Sequence, residues 1–372
     1  MNITAPQRAD VVGSFLRPDY LRKARAAFEA GNLSAEELKA TEDKAIRDLV
    51  EKEKAAGLHV LTDGEFRRLT WHLDFMWNID GVKRVKSETG NTSFDGEAAA
   101  IDDVTLTGKL AVHNHPFIEH FKFVNDLTDE NTTAKLTVPA PGQFYAQFTG
   151  RQELANTLSI YGTQEAFADD VVKAYGEFIK EFYAAGGRIL QFDDCTWGGF
   201  VNKKATLELT GLTEEQLPAY EELLVGIDNQ IIANAPDDLV INTHVCRGNY
   251  HSTFFSSGAY DSVEKPLFGE ENVNAYYLEY DDERSGGFEP LKYVSGDKKV
   301  VLGLITTKRP ELEDKDAVIA RIREAAKYVP LDRLYLSPQC GFASCEIGNK
   351  LTEEEQWAKV RLVVEIAKEV WG

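Results

Sequence analysis

Eight short apolar runs, several rich in β-branched residues, recur along the chain at 9–14, 59–63, 135–139, 189–193, 239–246, 275–280, 299–305 and 333–337. Runs of this length without strict alternation suit strands buried on both faces. Between them the apolar positions take a helical period, most clearly over 35–56, 164–185, 213–235, 315–328 and 353–370. Ser34 and Glu37 have the spacing of a capping box, and Thr352 stands at the cap of the last helix. Strand and helix in alternation predict a parallel α/β fold, and eight repeats predict one (β/α)8 barrel spanning 1–372. The doubly wound alternative lacks a G-x-G-x-x-G after the first strand. Residues 81–131 break the rhythm. They are rich in Gly, Thr, Asp and Val with short alternations such as 104–112, which predicts a β-rich excursion between barrel strands 2 and 3. A second irregular stretch, 248–272, predicts a loop over the barrel mouth after strand 5.

Composition narrows the possible partners. The chain has 372 residues, 43% hydrophobic and 27% charged, which supports a large core and excludes global disorder. Sixty-one acidic against 41 basic residues give a net charge of −20. That balance argues against a nucleic-acid or anionic-membrane partner, since phosphate surfaces demand basic ones. No apolar run reaches the roughly 18 residues of a membrane span, and the first ten residues lack an apolar signal core. The expected location is the cytoplasm. In that reducing compartment the four cysteines are expected to be buried, metal-bound or catalytic rather than disulfide-linked.

The chemistry gathers where the strands end. Ser14 closes strand 1, Asp63 and Glu65 strand 2, Asp193, Asp194 and Cys195 strand 4, His244 and Cys246 strand 5, Glu279 strand 6, and Ser337 and Cys340 strand 8. In a barrel these ends share one mouth, and polar groups are costly at the end of an apolar core unless they are used. His244 and Cys246 lie two apart on a strand, so both point the same way. An imidazole and a thiolate on one face form half of a tetrahedral zinc site. Cys340 is the expected third ligand and Glu279 the oxygen donor for the fourth corner. Cys195 follows two acids that oppose a thiolate and is set aside; Cys345 reads as a small apolar residue. His113 and His115 read as surface or hairpin residues, and His251 as a residue of the mouth loop in a position to orient substrate. Asp194 is read equally as a functional acid or as the cap of the next helix. Arg284, within a charge run, is placed to brace the neighbouring acids or to bind a substrate carboxylate.

These residues resemble the catalytic barrel of the zinc-dependent, cobalamin-independent methionine synthase superfamily. The resemblance is carried by Val12-Gly13-Ser14-Phe15, Asp63-Gly64-Glu65, Leu190-Gln191-Phe192-Asp193-Asp194, Thr243-His244-Val245-Cys246, Leu278-Glu279 and Ser337-Pro338-Gln339-Cys340-Gly341, in the family's order over nearly the whole chain. The runs 246–250 and 278–286 look most like its short, stand-alone members. The resemblance implies zinc on His244, Cys246, Glu279 and Cys340. It implies a homocysteine-like thiol near Ser14, Glu65 and Asp193, the two acids facing its amino group, and a methyl donor as second partner. Asp193 and Lys308 are the implied catalytic groups; Lys308 stands where the family carries its general-acid histidine. Tyr145 aligns with the pterin-stacking tryptophan and so becomes the expected contact for a folate-type donor. Full-length synthases add a second barrel half, and 372 residues hold one. The donor therefore stays open among methyltetrahydrofolate, a methylated corrinoid and another small methyl compound. A thiol alkyltransferase or lyase acting on a non-methyl electrophile, and a non-catalytic zinc barrel, are the competing expectations. Monomer or homo-oligomer is left open.

Overall fold

A computed structural model describes residues 4–86, 92–99 and 101–372. Its strands are β1 (Val60–Leu61), β2 (Asp80–Val85), β3 (Thr92–Phe94), β4 (Glu97–Ala99), β5 (Asp103–Ala111), β6 (Thr133–Ala134), β7 (Leu136–Pro139), β8 (Ile189–Asp194), β9 (Val240–Val245), β10 (Ala275–Glu279), β11 (Lys299–Ile305) and β12 (Leu334–Pro338). β7 through β12 form a six-stranded parallel sheet in sequence order. Helices Gln164–Ala184, Leu217–Ala233, Lys315–Ala325 and Glu353–Trp371 pack their apolar faces on it, so the class is α/β. The capping boxes at Ser34–Glu37 and Thr352–Glu355 are both made. Between β9 and β10, and between β10 and β11, the described connections hold only short 3-10 and π turns.

The first two expected strands are shorter than their apolar runs. β1 pairs with β6, and the 9–14 run contributes one bridge, Ala9 to Leu336 on β12. Side chains take the backbone donors a ladder would use. Asp10 accepts from Gln7 N at 3.0 Å and Val11 N at 2.8 Å, and Glu53 accepts from Thr62 N at 3.2 Å. Phe15 N donates to Gly64 O at 3.1 Å and links the two segments. Lys135, expected to open strand 3, interrupts it. Its Nζ donates to Asp10 and Gln191 at 3.2 and 3.0 Å, and the Lys135 and Asp10 side chains are fully buried.

The excursion is less β-rich than expected. β2 and β5 pair antiparallel and β3–β4 is a hairpin, but Pro116–Asn125 is a helix. Pro116 at the first helical position was its signal. His115 is not a surface residue: it is 1% exposed, caps that helix through Phe117 N, and donates from Nε2 to Phe75 O at 3.0 Å. His113 is exposed beside Asp80. Among the described residues no helix is long and apolar enough to cross a membrane.

Candidate metal centre

His244 lies in β9 with Cys246 one residue past its end, Glu279 ends β10, and Cys340 follows β12 by two residues. One donor atom from each comes within 4.8 Å of the others, and all four residues are buried. The two sulfurs are 3.8 Å apart, the separation of about 3.8 Å that two 2.3 Å Zn–S bonds subtend at a tetrahedral angle. His244 Nδ1 faces the Tyr277 carbonyl at 3.2 Å, which can only accept, so Nδ1 carries the proton. Nε2 is left as the lone-pair nitrogen, buried and without a partner. Glu279 Oε1 accepts from Arg247 N at 2.7 Å and Oε2 from the Arg284 guanidinium at 2.8 Å. Burial alone would lift the Glu279 carboxyl, but Lys308, Arg284 and His244 hold it below the usual carboxylate range. The thiols are the reverse. A hydrogen bond with Cys195 and burial push Cys246 well up, and a bond with Cys246 and burial do so for Cys340. Two thiols, a lone-pair imidazole nitrogen and a carboxylate are a donor set that fits zinc, which would replace the thiol protons on binding. The backbone is fitted tightly here: a Cβ at Gly198 would stand 2.1 Å from Cys246 O.

Asp193 is the register partner of His244, one strand away. Its Oδ1 accepts from Gln191 Nε2 at 2.7 Å. Glu65, at φ 60° in the turn after β1, accepts through Oε1 from Thr137 Oγ1 at 3.0 Å, with Arg68 at 3.4 Å. Its Oε2 is buried without a partner. Burial raises both carboxyls to about 7; Arg68 pulls each down, while Asp193 pushes Glu65 further up. Ser14 Oγ accepts from Ala343 N at 3.2 Å and packs on Gly341, where a Cβ would stand 1.9 Å from that oxygen.

The other expected residues divide. Lys308 is buried, donates from Nζ to Asn249 at 2.9 Å and lends its charge to Glu279. Tyr145 is not available to stack a ligand. It is 0% exposed, its ring lies on Phe167 and its hydroxyl donates to Gln164 at 3.0 Å. The face of helix Pro141–Thr149 that carries Tyr145 also buries Phe144 and Phe148 in the core. Asp194 caps the next turn, accepting from Thr196 N at 2.7 Å. His251 pairs with Glu97 of the β3–β4 hairpin at 2.7 Å. Arg284 takes the bracing role, bonding Glu279, Asp281 and Asp282 together. Cys195, set aside on sequence, stands outside the four-donor cluster and borders a cavity of about 450 Å³ with Gln143, Gln147, Arg151, Thr196 and Phe200. A cavity of about 740 Å³ between helices Asp19–Glu29 and Glu353–Trp371 holds none of the expected site residues.

The family model described as the cobalamin-independent synthase catalytic domain matches residues 8–115 and 157–369. The chain belongs to that family. Among relatives of this synthase-family member, the uncharacterized protein YxjG of Bacillus subtilis is 45% identical, over 98% of this chain and 95% of its own. The methionine synthase of Saccharolobus solfataricus is 22% identical, over 89% of this chain and 86% of its own. A crystal structure from Listeria monocytogenes, of a candidate vitamin-B12-independent methionine synthase, is 39% identical, covers all of both chains and superposes with a TM-score of 0.77.

One residue of this synthase-family site escaped sequence reasoning. Asn249, which holds Lys308 and donates to Gly341 O at 2.8 Å, carried no signal beyond its place in the mouth loop.

Proposed function

We propose that this protein is a zinc-dependent S-methyltransferase that moves a methyl group onto homocysteine or a similar small thiol. The observation that carries the reading is the meeting of His244, Cys246, Glu279 and Cys340 donor atoms within 4.8 Å. These residues would hold the zinc, which when bound supplies a thiol deprotonated at neutral pH and fixed in place. Glu65 and Asp193 receive the ammonium of the amino-acid thiol, exchanging costly buried protons for a paired charge. Asp193, beside His244 in register, sets the distance between ammonium and sulfur. Ser14 and Gly341 wall the thiol side. Lys308, held by Asn249, gives a proton to the group that leaves the methyl. The cavity beside Cys195 and Thr196 admits the donor; Tyr145 has no part in it.

The chain 1–372 is read as one (β/α)8 barrel with 81–131 inserted, the bridge at Ala9 and the Phe15–Gly64 bond closing the ring, in a cytoplasmic enzyme of methionine biosynthesis.

Metal analysis by mass spectrometry, followed by methyl-transfer assays, tests the reading. The expected result is one zinc per chain, and methionine formed from homocysteine with methyltetrahydrofolate, methylcobalamin or a small methyl compound. Failure to methylate any thiol overturns the reaction. Alkylation by a non-methyl electrophile would establish the alkyltransferase instead, and a zinc X-ray absorption spectrum unmoved by homocysteine a closed structural site.

A further inference from the structure

Cys195 stands outside the four-donor cluster, yet the ladder carries it to the edge of that cluster. In β8 and β9 Asp193 faces His244 and Asp194 faces Val245, and Cys246 N donates to Asp194 O at 2.9 Å. Cys195 is the residue after Asp194, where β8 turns into the helix Thr196–Phe200, and Cys246 is the residue after Val245. Adjacent strands run about 4.8 Å apart, and a disulfide spans Cα separations of about 4.4–6.8 Å. All four cysteines are free.

The thiols differ in access. Cys246 and Cys340 are buried, whereas Cys195 is partly exposed and lines the cavity of about 450 Å³ beside Gln143 and Thr196. A small oxidant entering that cavity meets Cys195 first. Cys340 is close to Cys246 at 3.8 Å but follows β12, three strands from β9 in the sheet.

We propose that Cys195 is an oxidative modification site that closes onto Cys246 as a disulfide and so removes one donor from the metal centre. With a hydroperoxide as oxidant, the Cys195 sulfur attacks a peroxide oxygen. An S–O bond forms, the O–O bond breaks, and hydroxide leaves and takes the thiol proton as water. The Cys246 sulfur then attacks the Cys195 sulfenic sulfur; S–S forms, S–O breaks, and the leaving hydroxide becomes a second water with a proton from solvent, or from the Cys246 thiol where no metal holds that sulfur. Two thiols lose two electrons and one hydrogen peroxide becomes two waters. A dithiol reductant reverses the change. The proposal needs only a metal bound at Cys246; it does not depend on which reaction the centre performs.

The test uses the protein as isolated with its metal, and Cys195→Ser and Cys195→Ala variants whose melting curves establish their fold. Each is treated with hydrogen peroxide, its free thiols are blocked, and intact mass, peptide mapping and a colorimetric metal chelator are read together. The wild type should lose two hydrogens, yield a linked peptide joining Cys195 to Cys246, and release metal in step with that link, all reversed by dithiothreitol. The variants should form no link and release metal roughly tenfold more slowly. A wild type oxidised at other positions, or variants that lose metal as fast as the wild type, would overturn the proposal. A protein that forms the link and methylates nothing would refute the function proposed above and leave this inference standing.

Discussion

Replacing Arg284 with methionine keeps the aliphatic stem and deletes the cation that holds three acids together. The guanidinium donates to Glu279 at 2.8 Å and to Asp281 at 2.9 Å, and it also reaches Asp282. The Glu279 and Asp281 side chains are 0% exposed and Arg284 is 7% exposed, so water does little of the screening. Two unit charges 4 Å apart at an effective dielectric near 20 attract by about 4 kcal/mol. Two such pairs give more, and relief from desolvating the arginine offsets part of it. What remains after the substitution is a pair of buried carboxylates that share Lys308 as a nearby cation. The expected loss is about 3–5 kcal/mol, as for a buried ion pair broken on one side. Lysine at 284 keeps the charge but loses the planar fork, and should recover about half of that loss. Urea unfolding of the metal-free protein, followed by the fluorescence of its five tryptophans, reads the difference. A double-mutant cycle with Glu279→Gln assigns it: the cost of Arg284→Met should shrink by about 1–3 kcal/mol once residue 279 is uncharged. A loss below about 1 kcal/mol, or strict additivity in the cycle, would refute the claim that Arg284 fixes Glu279.

The acid pair makes a prediction in pH. Glu65 and Asp193, with carboxyls at about 7, keep protons that the unfolded chain gives up near pH 4, so the fold loses stability from about pH 4 to 7 through these two groups and no more above that. An ammonium ligand favours their ionised forms, so binding of homocysteine should tighten as pH rises through 6 and expel about one to two protons; calorimetry in two buffers of different ionisation enthalpy counts them, and a count of zero sinks the assignment. Gly341→Ala forces its Cβ against Ser14 Oγ and should cost about 1–3 kcal/mol, with stability regained in the Ser14→Gly/Gly341→Ala pair and thiol affinity still weakened. Tyr145→Phe removes one hydrogen bond to Gln164 and should cost about 1 kcal/mol with turnover unchanged; a selective rise in KM for the methyl donor would return Tyr145 to the site.

What the sequence made legible is what depends on local period. His244 and Cys246 share a face because strand side chains alternate, and that holds wherever the strand lies. Glu279 and Cys340 were legible one step further, because parallel strands of an α/β fold bring their C-terminal ends together. The readings that failed needed information from elsewhere in the chain. Tyr145 lies on a short helix whose sequence offers apolar residues on more than one side, and only the packing of Phe167 decides which side is buried. The helix Pro116–Asn125 sits inside a stretch whose composition and alternation over 104–112 pointed to strands alone.

The two ends of the site also differ in what they lack, and that difference bears on the substrate. On one side two thiols and an imidazole are buried with an orphaned His244 Nε2; on the other two carboxyls are buried with an orphaned Glu65 Oε2. A thiol cluster suits a soft divalent ion, and a carboxyl pair suits a hard organic cation. The permanent charges nearby, Arg284 at Glu279 and Arg68 at Glu65 and Asp193, offset the burial of the carboxyl pair only in part, since both stay raised to about 7. Asp193 and His244 join the two ends as register partners, about one strand spacing apart. On the function proposed here, a molecule serving both ends must therefore carry an ammonium and a sulfur only a few bonds apart. A short 2-amino thiol acid meets that condition. A long-chain thiol coenzyme has no ammonium to place between Glu65 and Asp193 and would leave two raised carboxyls unpaired. Competition by amino-acid thiols of increasing chain length should peak at one length, and a flat series would mean that the acids and the metal centre serve separate ligands.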